Sequence, residues 1–187
     1  MGQSRKIHEQ GVNHFRKGNF AAALEKLNEA LQQPDDPKHA AEIYNDMGAT
    51  YRQLEDYPAA HQALNEAMDR FIALADEKGQ AQVLGNRASV FEAEERVDEA
   101  IDTYKQSAAM LENVGEGDMA MYVWQAVSKL RLKQKQYIAA IGAYEEGVEN
   151  MPQGSLKKKL LGGLLRMPGS LLGGPPAASN DEENNEE

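Results

Sequence analysis

The feature that most constrains this chain is an alanine that returns at a nearly fixed interval. Ala23, Ala60, Ala100 and Ala140 are spaced by 37, 40 and 40 residues. Each closes a related stretch: Gly18-Asn19-Phe20-Ala21-Ala22-Ala23, Glu55-Asp56-Tyr57-Pro58-Ala59-Ala60, Glu95-Arg96-Val97-Asp98-Glu99-Ala100 and Lys135-Gln136-Tyr137-Ile138-Ala139-Ala140. Four residues after the alanine stands a large apolar residue (Leu27, Leu64, Tyr104, Tyr144). Three further on stands a mostly small one (Ala30, Ala67, Ser107, Gly147). Residues three and four apart share a helix face, so each copy predicts a helix with one close-packing stripe. A second helix precedes it in each copy, marked by Gly11 and His14, Gly48 and Tyr51, Ala88 and Phe91, and Trp124, Val127 and Ser128. A helix pair of this size cannot bury its stripe alone, so the copies must stack on one another.

The pattern resembles the tetratricopeptide repeat, whose signature runs W-x2-L-G-x2-Y, then A-x3-F, then P. The fourth copy keeps Trp124, Ala140, Tyr144 and Pro152 at that spacing, and the second keeps Tyr44, Met47, Gly48, Tyr51, Ala60, Leu64 and Ala67. The resemblance covers residues 4–152. It implies an all-α, right-handed superhelical solenoid of four helix pairs, at about 4–37, 41–74, 81–114 and 121–154. In such a pair the small residue at the Gly48 position lets the first helix approach the second, and the aromatic at Tyr51 fills the gap beside them.

The period of 37 to 40 residues exceeds the family's ~34. The added residues fall in the helical-looking run 69–78, which predicts a second helix lengthened by one to two turns. The third copy is degenerate, with Val97 at the aromatic position, and Arg131 replaces the tyrosine of the fourth. Gly115-Glu116-Gly117-Asp118 reads as a turn and as a looser joint between the last two pairs.

Beyond Pro152 the composition shifts. Residues 155–166 set Leu156, Leu160, Leu161, Leu164 and Leu165 on one stripe with Lys157, Lys158 and Lys159 off it, despite the Gly162-Gly163 pair. A solenoid's last repeat exposes apolar surface and needs a cover, so this segment is read as a capping helix, with a basic amphipathic helix docking on a membrane or partner as the competing reading. From Met167 the chain is rich in Gly and Pro and ends in an acidic, Asn-rich run with too little apolar surface to order itself.

Composition excludes several functions. There is no cysteine, so disulfides and thiol nucleophiles are absent. The net charge is −10, and the final run contributes Asp181, Glu182, Glu183, Glu186 and Glu187. Nucleic-acid binding needs concentrated Lys and Arg and is not expected. No secretory signal and no apolar run of the roughly 20 residues that span a bilayer is visible, so a cytoplasmic protein is expected. His8, His14, His39 and His61 form no metal spacing. His14 sits at the family's tyrosine position and reads as packing; His39 and His61 read as surface residues. No constellation of acid, base and nucleophile converges, so neither an enzyme nor a cofactor is expected.

The resemblance implies that the first helices of the pairs line a concave groove. Its positions fall on Arg5, His8, Val12 and Arg16; on Glu42, Asn45, Ala49 and Arg52; on Gln82, Gly85, Ser89 and Glu92; and on Tyr122, Gln125, Lys129 and Lys133. Arg5, His8, Arg16, Asn45, Arg52, Gln82, Asn86, Ser89, Tyr122, Gln125, Lys129 and Lys133 are the candidate partner contacts. Five of the charged groups among the groove positions are basic and two acidic, which suggests a polar or acidic protein segment as partner. Relatives that clamp the carboxylate terminus of chaperones use lysine, arginine and asparagine at positions that here are His8, Val12, Asp46, Gln82 and Asn86; that role is not expected. The resulting expectation is a protein–protein interaction scaffold or adaptor, with a ligand- or peptide-sensing regulatory domain as the competing reading.

Overall fold

A computed structural model describes residues 2–151. They form eight helices: α1 (Gln3–Arg16), α2 (Phe20–Leu31), α3 (Pro37–Gln53), α4 (Tyr57–Ala73), α5 (Glu77–Ala93), α6 (Val97–Asn113), α7 (Gly117–Lys133) and α8 (Tyr137–Glu149). Consecutive helices pair as antiparallel hairpins, and each hairpin stacks on the next in chain order. Among the described residues there is no strand, and no helix is long and apolar enough to cross a membrane. The expected all-α solenoid is present. The segments read as a capping helix (155–166) and as an acidic tail (167–187) lie outside the described residues.

The turns explain the period. Each of α3 to α7 is 17 residues long. Three-residue turns join them, each with one residue in the left-handed region: Gly18, Glu55, Ala75, Glu95, Gly115 and Lys135 mark six of the seven connections. In these turns an amide reaches back five residues, as Asp56 N–H donates to the Tyr51 carbonyl at 3.0 Å and Asp76 N–H to Phe71 at 2.9 Å. Such a closure satisfies carbonyls that the helix end leaves open. Asp36, Asp56 and Asp76 then cap the following helices by accepting from the His39, Ala59 and Gly79 amides. Two 17-residue helices and two such turns give the 40-residue spacing. The extra length is therefore shared between both helices of a hairpin, and the run 69–78 is not one helix. It breaks at Leu74, because Asp76 starts α5 there.

Close packing follows the small residues. Ala23, Ala60 and Ala100 are fully buried. A Cβ added at Gly48 would sit 2.5 Å from the Leu64 side chain, so the glycine is what lets α3 approach α4. In the fourth hairpin a serine takes this place, and the Ser128 hydroxyl donates to the Ala140 carbonyl at 2.8 Å. The joint expected to be loose between the third and fourth hairpins is packed. Leu111 and Ala120 are buried together with Trp124 against them, and the Trp124 indole N–H donates to Glu112 at 2.6 Å.

Candidate functional site

The odd-numbered helices face one another along one side of the stack. The Asn86 amide on α5 donates to Asn45 Oδ1 on α3 at 2.9 Å. On the same side Arg5 reaches Glu42 and Lys133 reaches Glu92. Between these helices lies a cavity of about 690 Å3. Its polar wall is built by His8 from α1, Glu42, Asn45 and Asp46 from α3, and Gln82 and Asn86 from α5. Its apolar wall comes from Phe71, Tyr104 and Leu111 and, across the cavity, from Met119, Val123 and Ala126 of α7. Tyr122 stands at the mouth, 63% exposed.

Register places these residues together. Glu42, Gln82 and Tyr122 are 40 apart, as are Asp46, Asn86 and Ala126, and all six line the cavity. Gly85 forms part of the wall; a Cβ there would meet only the Ser107 hydroxyl at 3.4 Å, so the missing side chain is what keeps the space open.

Of the candidate contacts, His8, Asn45, Gln82, Asn86 and Tyr122 line this cavity. Ser89 stands behind it, 2.9 Å from the Tyr104 hydroxyl; burial pushes the Tyr104 phenol up. Arg5 lies beside the cavity, held by Asp36 at 2.9 Å and Glu42 at 3.3 Å. Arg16 belongs to a separate, smaller cavity of about 240 Å3 with Val12 and Ala49. Arg52, Gln125, Lys129 and Lys133 line neither cavity, and Lys133 pairs with Glu92 at 3.2 Å. No lysine or arginine lines the large cavity, and its two carboxylates are already engaged. A helix-face projection counts charges without knowing which of them neutralise one another across the next hairpin.

Two histidines also differ from expectation. His39 is fully buried. Its Nδ1 accepts from the Asp35 backbone amide at 3.2 Å, so its proton sits on Nε2. That N–H donates to His8 Nδ1 at 3.1 Å, and His8 Nε2–H donates to Asp46 at 2.9 Å. His39 is held below the usual histidine range, first by burial and then by Arg5 and His8. His61 is half-buried and pairs with Glu94 at 3.1 Å, linking α4 to the end of α5. Among the described residues no group of three or more His, Asp or Glu could hold a metal ion.

Comparison with known proteins adds relatives. The model of the soluble NSF attachment protein family matches residues 8–165. The gamma-soluble NSF attachment protein of Arabidopsis thaliana is 23% identical over 138 residues, covering 72% of this chain and 47% of the relative. The chain thus spans about half the length of the curated relative it matches. Among solved structures, a signal-transduction ATPase with a tetratricopeptide repeat sensor from Pyrococcus horikoshii superposes with a TM-score of 0.69 at 19% identity, over 77% of this chain and 22% of that one. BtubC from P. vanneervenii gives 0.66 at 15% identity, over 98% of this chain and 70% of that one. These two likenesses carry the fold.

Proposed function

The chain belongs to the soluble NSF attachment protein family, and from that premise we propose that it is a protein-interaction scaffold that receives a partner segment in the cavity between α3, α5 and α7. The observation that carries this reading is the two-sided lining. One wall offers amide groups, with the Asn45 amide donor and the Asn86 carbonyl left open after their mutual hydrogen bond. The opposite wall offers Met119, Val123 and Ala126. Amides bind a partner's backbone or polar side chains in an orientation-dependent way, while the apolar wall supplies burial. With no lysine or arginine in the lining, the reading favours a polar segment with an apolar anchor over a strongly acidic one. His8, Asn45, Gln82, Asn86 and Tyr122 are the contacts proposed. The name of the Arabidopsis relative, an attachment protein for NSF, makes an NSF-type assembly the first partner to test.

The test is quantitative affinity purification on the full chain. Gly85→Leu fills the cavity from a position where the helix has room for a Cβ. Recovery of the partner should fall at least about tenfold, equivalent to 1.4 kcal/mol. Arg52→Glu with Lys129→Glu should leave recovery unchanged, because neither side chain lines the cavity. Full recovery with Gly85→Leu, or loss with the charge variant alone, places the contact elsewhere.

A further inference from the structure

The junction between the first two hairpins holds a smaller cavity of about 240 Å3. Val12 and Phe15 of α1, Leu27 of α2 and Ala49 of α3 give it an apolar wall. The Phe20 ring stands edge-on to Phe15, with centroids 5.5 Å apart, and holds that side in place. Thr50 offers no free donor, because its hydroxyl donates to the Asp46 carbonyl at 2.7 Å. Two charged groups complete the lining, and they differ. The Asp46 carboxylate is taken by His8 Nε2–H at 2.9 Å. The Arg16 guanidinium is exposed and, among the described residues, meets no carboxylate.

The repeat register makes this apolar pit particular to the first junction. Steps of 37 and 40 residues carry Val12, Phe15 and Ala49 onto Ala49, Arg52 and Ser89 at the second junction, and onto Ser89, Glu92 and Lys129 at the third. There Ser89 bonds the Tyr104 hydroxyl and Glu92 pairs with Lys133. An apolar cavity of about 150 Å3 already takes a benzene ring, while sites for whole small ligands run to about 300–1,000 Å3. The volume therefore suits one aromatic or branched aliphatic side chain. A guanidinium without a partner at its edge complements a carboxylate. We propose that this cavity is a docking pocket for an apolar side chain of a partner polypeptide whose next residue is acidic. The side chain sits among Phe15, Leu27 and Ala49, and the carboxylate pairs with Arg16. The negative charge of Asp46 keeps that carboxylate on the Arg16 side and so sets the direction of the segment. Asp46 lines the larger cavity as well, which lets one extended segment reach from one to the other; the choice of a polypeptide over a small acid rests on the role proposed for the larger cavity.

The test is a methyl NMR titration of the full chain with acetyl-Gly-Phe-Glu-Gly-amide, its Phe-Gln counterpart and 3-phenylpropionate. The Phe-Glu peptide should shift the Val12, Leu27 and Ala49 methyl signals saturably and bind about threefold tighter than the Phe-Gln peptide, the modest gain of an exposed ion pair. Arg16→Gln should close that gap, and 0.5 M salt should narrow it. Ala49→Leu should abolish the shifts of Val12 and Leu27 by filling the pocket. Equal affinity for the two peptides in the parent chain, or a gap that survives Arg16→Gln, would overturn the proposal. Binding of 3-phenylpropionate with neither peptide bound would also overturn it, by giving the site to a small aryl carboxylate. So would shifts confined to Val123, which would leave the larger cavity as a partner site and this one empty. Failure of the larger cavity is read separately, in partner recovery with Gly85→Leu.

Discussion

The junction between the first two hairpins and the junction between the last two solve the same geometric problem with different chemistry. At the first, an apolar cluster of Leu27, Ala30, Ile43 and Met47 is joined by a polar chain: Arg5 bridges Asp36 and Glu42, and His8 joins His39 to Asp46. At the last, the buried contact is a cluster of Ala100, Ile101, Tyr104, Val127 and Leu130, joined by Phe91, Trp124 and Ala126, with the polar ties Trp124–Glu112 and Lys133–Glu92 at its rim. Apolar burial is non-directional and tolerates changes of pH and salt. A buried polar chain holds only while every donor meets an acceptor, and a broken member leaves its neighbours unsatisfied. In a solenoid, stability is roughly the sum of each repeat and its neighbour interfaces. The two ends should therefore respond to different perturbations.

The largest effect is expected at the apolar end. Ile101 is fully buried, and truncating such a side chain costs about 2–5 kcal/mol through lost transfer energy and a residual cavity. Urea unfolding of Ile101→Ala should show that loss to the same extent at pH 7.5 and pH 5.5. A loss that grows or shrinks strongly between those pH values would mean the last junction also depends on titratable groups.

At the polar end the corresponding test is pH itself. His39 is depressed in the folded chain, so folding favours its neutral form. Above the unfolded value of about 6.5 neither state binds the proton and the junction is intact. As pH falls below that value, the unfolded chain takes up a proton that the folded one refuses, and stability drops by up to about 1.4 kcal/mol per pH unit until the folded value is reached. Protonation would also set an N–H on Nδ1 against the Asp35 amide. The groups facing His39 are Arg5 and His8, which oppose its charge, and Asp35 and Glu42, which favour it. His39→Gln should be less stable than the parent at pH 7.5, and the gap should narrow by pH 5.5. A constant gap would show that His39 does not carry the pH response.

The difference between the ends also explains what could be read in advance. Hairpin number, order and packing stripe follow from Ala23, Ala60, Ala100 and Ala140, because small residues at a fixed period leave few ways to stack. The length of each helix was less legible. It depends on Asp76 acting as a cap and on Ala75 adopting a left-handed turn, and neither residue interrupts the helical pattern around it. In the site, phase brought Asn45, Gln82 and Tyr122 to the cavity wall, since lining positions repeat with the helices. What phase could not supply was the contribution of neighbouring elements. Phe71 and Leu111 enter the cavity from α4 and α6, and the charge of Arg5 is spent on the capping residue of the next hairpin. His39 was hidden for the same reason: its burial is created by α1 folding over it.

The smallest effect tests whether the surface part of the polar junction adds to its buried part. Asp36 is drawn below the usual carboxylate range chiefly by the His39 amide and then by Arg5, so the cap and the ion pair share one carboxylate. Arg5 remains about a third exposed, at 34% of its side chain, where water and salt screen the attraction and such pairs are worth about 0–1 kcal/mol. Arg5→Gln should therefore destabilise by no more than about 1 kcal/mol at low salt, and by less at 0.5 M salt. Removing the guanidinium also removes a positive neighbour that opposes His39 protonation. The variant's loss of stability on acidification should accordingly be shallower than the parent's. An Arg5→Gln effect that persists unchanged in high salt, with the acid response unaltered, would assign Arg5 a packing role and leave the histidine chain as the sole polar tie between the first two hairpins.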